Sequence, residues 1–230
     1  MSRPRIFISE ELKPGDVVEI PESERRHLKV RRIASGEIVV LNGRGTEAKG
    51  RLLGKERLLI EEVRTPEDRE LSIRIHLFMA LIKRDKMELV IQKATELGVY
   101  SITPVIMERC VAKPKNTERW LKIAVEALKQ CGRTRLPLIN PPTELEKVEL
   151  RGIGFLLWEE AEARFERIVT PSEDVSVIVG PEGGITSQEA EILKKKGAVP
   201  SGLGEVILRA ETAAIYAVSV IRALSIRSAP

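Results

Sequence analysis

Apolar residues in the first part of the chain come in short runs. The segments RIFI (Arg5–Ile8), DVVEI (Asp16–Ile20), EIVVLNG (Glu37–Gly43), TEAKGRLL (Thr46–Leu53) and RLLIEEV (Arg57–Val63) each last four to eight residues. Pro14-Gly15, Ser35-Gly36 and Asn42-Gly43 separate them. Short alternating runs bounded by turn residues predict strands, and so many in so small a span predict a small β-barrel. Only ESERRHLKV (Glu22–Val30) has the look of a helical turn or two.

After RTPEDRE (Arg64–Glu70) the texture changes. The apolar run IRIHLFMALI precedes KMELVIQKATELGV, where Met87, Val90, Ile91, Ala94 and Leu97 share one helical face. SITPVIM precedes TERWLKIAVEALKQCG, with Trp120, Ala124, Leu128 and Cys131 at similar spacing. GFLLW, VSVIVG and AVPSGLG follow, with helical stretches between them. Alternation of strand and helix predicts an α/β fold with a mostly parallel sheet and helices on both faces. The predicted division is therefore residues 1–70, a β-barrel, and residues 71–230, an α/β domain.

Composition narrows the chemistry. Apolar residues make up 43% of the 230 residues and aromatics 3%, so aliphatic side chains must fill the core. A net charge of +4 suits a polyanionic partner without requiring one. Cys110 and Cys131 form neither a disulfide framework nor a metal-type pair, which fits a reducing cytosol. His27 and His76 are the only histidines, so no metal site is expected. No apolar stretch is long enough to span a bilayer, and the opening MSRPRIF lacks the apolar region of a signal peptide. A cytoplasmic location is the expectation.

Two loops carry the candidate chemistry. VSVIV ends abruptly in Gly180-Pro181-Glu182-Gly183-Gly184, and Thr186 with Glu189 forms a T-x-x-E capping box that starts a helix. In open α/β sheets ligands sit beyond the carboxyl ends of strands, and glycines there permit close approach. The Lys and Ser/Thr of a phosphate-binding loop are missing, and no complete GxGxxG exists for a dinucleotide. The second loop is SGLGEVILRAETAA, where Arg209, Glu211 and Thr212 precede an almost wholly apolar helix. Arg209 either serves chemistry or braces Glu211, and Glu211 either accepts a proton or caps the helix dipole. A helix so apolar needs cover on more than one side, which points to a subunit interface. In RRHLKVRR, Arg25, Arg26, Lys29, Arg31 and Arg32 crowd together with no acid among them, and Arg3 and Arg5 add to the positive charge. Such clusters contact phosphates or form a solvated face.

Four ordered blocks, KMELVIQKATELGV with ITPVIMERC, IAVEALKQCGRTRLP, IVGPEGGITSQE and LGEVILRAETAA, together resemble the RsmE family of ribosomal RNA methyltransferases, within the SPOUT class. The resemblance covers essentially the whole C-terminal region. RIFI and HLKVRRI resemble the family's PUA-like RNA-binding domain. The resemblance implies a trefoil-knotted α/β domain and a pocket for S-adenosyl-L-methionine (SAM), which leaves as S-adenosyl-L-homocysteine. It implies SAM contacts from Leu157, Trp158, Glu159, Gly180, Glu182, Gly183, Leu203, Gly204, Ile207 and Leu208. The implied reaction is methylation of uridine N3 in 16S rRNA within the small ribosomal subunit, by a homodimer. Arg209 and Glu211 are the catalytic candidates, with Glu182 an alternative proton acceptor. Arg3, Arg5, Arg25, Arg26, Arg31, Arg32 and Arg133 are the candidate RNA contacts. Arg109 also matches a family position, either at the nucleotide or at the surface. The chain departs from the pattern at Glu205-Val206, where the family has Pro-Arg, and at Lys129. Rival readings are a non-catalytic RNA-binding or assembly factor and a nucleotide-binding enzyme using NAD.

Overall fold

The computed structural model describes residues 3–33, 35–66, 69–111, 117–170 and 172–227. It divides into two compact units, residues 1–70 with 125–136, and residues 71–124 with 137–230. The boundary segment predicted near 65–70 includes residues 67 and 68, which lie outside the described residues.

In the first unit, β1 (Arg5–Phe7), β2 (Val17–Glu19), β3 (Glu37–Leu41), β4 (Glu47–Leu53) and β5 (Arg57–Arg64) form one sheet in the order β1-β3-β4-β5-β2. The β1–β3 pairing is parallel and the others are antiparallel. Helix α1 (Glu22–Val30) occupies the stretch with helical texture. Alternation places Ile38 and Val40 of β3 and Leu58 and Ile60 of β5 in the core, where Ile6, Ile20 and Leu28 join them. Gly50 sits at a register shift in β4, and a Cβ there would lie 2.5 Å from Leu58 Cδ2. That close approach is what glycine permits.

Residues 125–136, the end of α3 (Glu118–Cys131) and the loop after it, group with this sheet. Lys129 donates to Glu24 at 2.8 Å, with both side chains 5% exposed, and also meets Glu126 at 2.7 Å. A buried ion pair of this kind tolerates loss of one partner poorly, because the other charge is stranded. Lys129, a departure from the family pattern, thus has a defined local role.

In the second unit, β6 (Arg74–Ala80), α2 (Arg84–Leu97), β7 (Ser101–Ile106), the start of α3, β8 (Leu138–Ile139), β9 (Thr143–Glu144), β10 (Ile153–Leu157), α4 (Phe165–Ile168), β11 (Asp174–Val179), α5 (Ser187–Lys195), β12 (Ala198–Ser201) and α6 (Ala210–Arg227) follow in chain order. The sheet order is β12-β10-β11-β6-β7-β8, with β9 also beside β7, and every pairing is parallel. β11 is buried from Val175 to Val179, as its continuous apolar run predicts. Helix α6 packs on α2, β6 and β11.

A polar network ties the amino-terminal ends of these strands. Arg74 grips Asp174 with two hydrogen bonds of 2.7 and 2.6 Å. His76 Nε2 lies 2.8 Å from the same carboxylate, and Nδ1 lies 2.8 Å from Ser101 Oγ. The Arg74 hydrogen bonds, then that of His76, hold the Asp174 carboxyl well below the usual range against the opposing effect of burial. A depressed folded value means stability that is complete above the ordinary aspartate range and lost progressively as pH falls from that range toward the depressed value. Asp174→Asn should therefore cost about 1–2 kcal/mol at pH 7. Urea unfolding should show the gap to wild type closing below about pH 4. A gap that stays constant down to pH 3 would remove Asp174 as its source.

Candidate cofactor and substrate clefts

The parallel register brings three strand ends together. Leu157, last in β10, pairs with Val179, last in β11, and with Ser201, last in β12. The loops after these strands therefore leave the sheet side by side. After β11 the chain turns through Gly180–Gly184, with Gly184 at φ 79° and its N–H donating to Pro181 O at 3.0 Å. A Cβ on Gly180 would fall 2.4 Å from Ile185 Cγ1, and one on Gly183 would fall 3.0 Å from Arg109 Cβ. The Thr186–Glu189 capping box then starts α5. Glu189 also accepts the Glu108 N–H at 2.8 Å, and Arg109 Nη1 donates to Gly183 O at 3.0 Å. The glycine turn is thus held against the loop that follows β7.

Two adjoining clefts open at these strand ends, of about 600 and 450 Å³. Both lie within the range of small-molecule sites. Leu157, Glu159, Ile207, Leu208 and Ala213 line both. The larger adds Gly180, Glu182, Gly183, Arg209 and Glu211, and the smaller adds Trp158, Leu203 and Gly204. Every residue that the resemblance assigns to cofactor or catalysis lines one cleft or the other. Lys83 and Lys86 line the larger cleft too. Sequence reasoning missed both, although a K-x-x-K at the junction of a buried strand and a helix was the available signal.

The charges differ between the clefts. The larger carries Lys83, Lys86 and Arg209 opposite Glu159, Glu182 and Glu211. Glu211 is 6% exposed and meets Lys86 Nζ at 3.1 Å. Burial alone would raise its carboxyl, but its own backbone N–H, then Lys86 and Arg209, outweigh that and hold it below the ordinary value. Arg209 does not brace Glu211 directly, since Lys86 takes that role, and Arg209 has no ion-pair partner among the described residues. The Lys83 N–H donates to Glu182 at 3.1 Å. The smaller cleft is acidic, with Glu159, Glu162 and Glu205 against Arg164. Glu205 pairs with Arg164, so the acid that replaces the family's proline is held at this rim. Trp158 has a buried Nε1–H without an acceptor, and Lys194 lies over its ring at 5.0 Å. The acidic walls of the smaller cleft suit a cationic sulfonium.

The candidate RNA residues fall on the first unit with different surroundings. Arg3 meets Glu37 at 3.1 Å, Arg25 meets Glu56 at 2.7 Å, and Arg26 pairs with Glu22. Arg31 and Arg32 are exposed. Arg5 donates to the carbonyls of Lys129 and Gln130, both at 3.1 Å. Arg133 is 6% exposed and held by Glu70 at 2.7 Å. Among the described residues, no helix is long and apolar enough to cross a membrane and no His, Cys, Asp and Glu group could hold a metal.

Comparison with known proteins fits this geometry. Residues 69–222 match the model of the RNA methyltransferase domain family. Ribosomal RNA small subunit methyltransferase E of Bacillus subtilis is 34% identical, over 94% of this chain and 95% of that one. The protein of that name from Aquifex aeolicus is 31% identical over 94% and 98%. Ribosomal RNA small subunit methyltransferase E from Neisseria gonorrhoeae, solved bound to S-adenosyl methionine, superposes with a TM-score of 0.89 at 32% identity, covering 97% of this chain and 98% of that one. A Legionella pneumophila protein solved with bound SAM superposes at 0.87, also at 32% identity, over 97% and 98%. The chain therefore belongs to the RNA methyltransferase family, among the ribosomal RNA small subunit methyltransferase E proteins.

Proposed function

We propose that this protein is a SAM-dependent methyltransferase that methylates N3 of a uridine in 16S rRNA of the small ribosomal subunit. The observation that carries the reading is the convergence of residues 157–159, 180–184 and 203–208 on two adjoining clefts, in a chain whose relative of similar fold was solved with SAM. The reading includes the family's knotted C-terminal domain, a PUA-like first domain, a homodimer whose second subunit completes the site, and a cytoplasmic location.

SAM supplies a methyl group already activated as a sulfonium. Leu157, Ile207 and Leu208 form an apolar wall for the adenosyl group. The acids Glu159, Glu162 and Glu205 favour a cation beside them. Lys83, Lys86 and Arg209 make the larger cleft attractive to a nucleotide phosphate and to a uracil ring that has lost its N3 proton. Positioned cations of this kind act where negative charge develops. The proton acceptor is Glu211, Glu182 or a water held by them. Glu211, with its carboxyl depressed and its Lys86 partner, is a weak base and a strong anchor, so its main contribution is to hold Lys86 in the cleft. Alignment of the reactants is the rest of the catalysis.

On the first unit, Arg3, Arg25, Arg26, Arg31 and Arg32 face solvent in whole or part and would contact rRNA phosphates. Arg5 and Arg133 are engaged instead by the Lys129 and Gln130 carbonyls and by Glu70.

Transfer of labelled methyl from SAM to purified small subunits, followed by mass mapping, tests the function. A single uridine gaining one methyl group at N3 is the expected product; a methylated base of another kind, or none, would overturn the reading. In the same assay Arg209→Gln should lower kcat about 100-fold with SAM affinity nearly unchanged. Gly183→Val drives a side chain onto Arg109 and the turn. Calorimetry should show SAM affinity falling at least about tenfold, or about 1.4 kcal/mol, with the fold retained by circular dichroism. Unchanged affinity would remove this turn from the SAM site.

A further inference from the structure

The first unit holds a cleft of its own, of about 520 Å³, between α1 and the β4–β5 hairpin. Its floor is apolar, from Leu28, Ile33 and Leu52. Its rim is basic. Arg25 and Arg26 are matched by Glu56 and Glu22, whereas Lys29, Arg32 and Lys55 stand exposed with no ion-pair partner among the described residues. An apolar floor ringed by unmatched cations fits a group that is flat and uncharged at one end and anionic at the other.

Arg32 adds a second, independent observation. It is the only non-glycine residue with positive φ among the described residues, at 56°. Its N–H donates to Lys29 O at 3.0 Å and the Ile33 N–H donates to Leu28 O at 3.0 Å, the pattern that closes a helix around a left-handed residue. Glycine normally fills that position because any Cβ is disfavoured there. Arg32, which lines the cleft, accepts this conformation at a local cost in stability, and such costs gather at functional sites.

We propose that this cleft binds one unpaired nucleotide of the RNA substrate, with its base on the Leu28, Ile33 and Leu52 floor and its flanking phosphates on Lys29, Arg32 and Lys55. Single-stranded bases splayed from the helix are the part of RNA that proteins hold individually, and guanidinium planes serve as stacking surfaces where aromatics are scarce. The chain is poor in aromatics, at 3%, so the aliphatic floor would carry that task. The site deepens the RNA methyltransferase reading and rests on it: it is where the substrate is gripped away from the reacting uridine.

Binding of a hexauridylate RNA and of an abasic hexamer with the same backbone, measured by fluorescence anisotropy over a salt series on the full chain, tests the assignment. The base-bearing hexamer should bind several-fold more tightly. Leu52→Lys should abolish that preference although it adds a positive charge. Arg32→Gly should weaken binding and lower the salt slope by about 0.7, the share of one phosphate contact on a single strand, while raising the thermal midpoint because glycine suits the left-handed backbone. The last pairing separates lost contact from lost fold. Equal binding of the two hexamers, or tighter hexauridylate binding by Leu52→Lys, would reduce the cleft to a phosphate patch and overturn the proposal. So would failure of the wild-type protein to bind hexauridylate, or equal affinity for a hexaglutamate peptide. If methylation of small subunits persists through any of those results, the enzyme reading stands and only this cleft is reassigned.

Discussion

Parallel registration of β10 between β11 and β12 is the constraint on which the candidate site depends. Because Leu157 stands level with both Val179 and Ser201, three loops must leave the sheet at one line, and a pocket forms wherever those loops do not fill the space. Each loop has its own local reason for its shape. The turn after β11 needs glycine where a Cβ would strike Ile185 or Arg109, and the capping box at Thr186 fixes where α5 begins. The loop after β12 ends at Glu211, whose carboxylate lies at the start of α6, where a helix favours negative charge. Side-chain chemistry is laid on top of a frame set by backbone pairing.

Charge is then divided across that frame. The smaller cleft is acidic and the larger balances cations against carboxylates, so the shared wall of Leu157, Ile207 and Leu208 has a different charge on each side. Lys86 is the hinge of this division. It satisfies the buried Glu211 and in doing so leaves the Arg209 guanidinium free of a carboxylate partner. With Lys86 engaged, Arg209 and Lys83 are the lining cations without an ion pair among the described residues.

Much of this was legible in the sequence. The continuous apolar run at Val175–Val179, the abrupt glycine turn and the T-x-x-E box announce a strand, a loop and a helix in order, and each is local. Alternation in the first seventy residues likewise marks the five strands. What failed to show in the sequence is what depends on distant partners. The two-residue strands β8 and β9 are too short to carry a period. Lys86 looks like ordinary solvated charge at a helix start, because Glu211, which pairs with it, is remote in the chain. Arg5 and Arg133 look like members of a basic surface, yet carbonyls at 129 and 130 and the Glu70 carboxylate engage them. The grouping of residues 125–136 with the first sheet has the same origin, in the burial of Lys129 against Glu24.

The central claim is that the loops after β10, β11 and β12 together hold SAM, across the wall that the two adjoining clefts share. Hydrogen–deuterium exchange of the full chain with and without SAM tests it most directly. Peptides covering residues 156–160, 180–184 and 203–208 should gain protection together, at the same SAM concentration. Protection of only one of them, or protection centred instead on the opposite strand ends around Arg74, His76 and Ser101, would contradict the account.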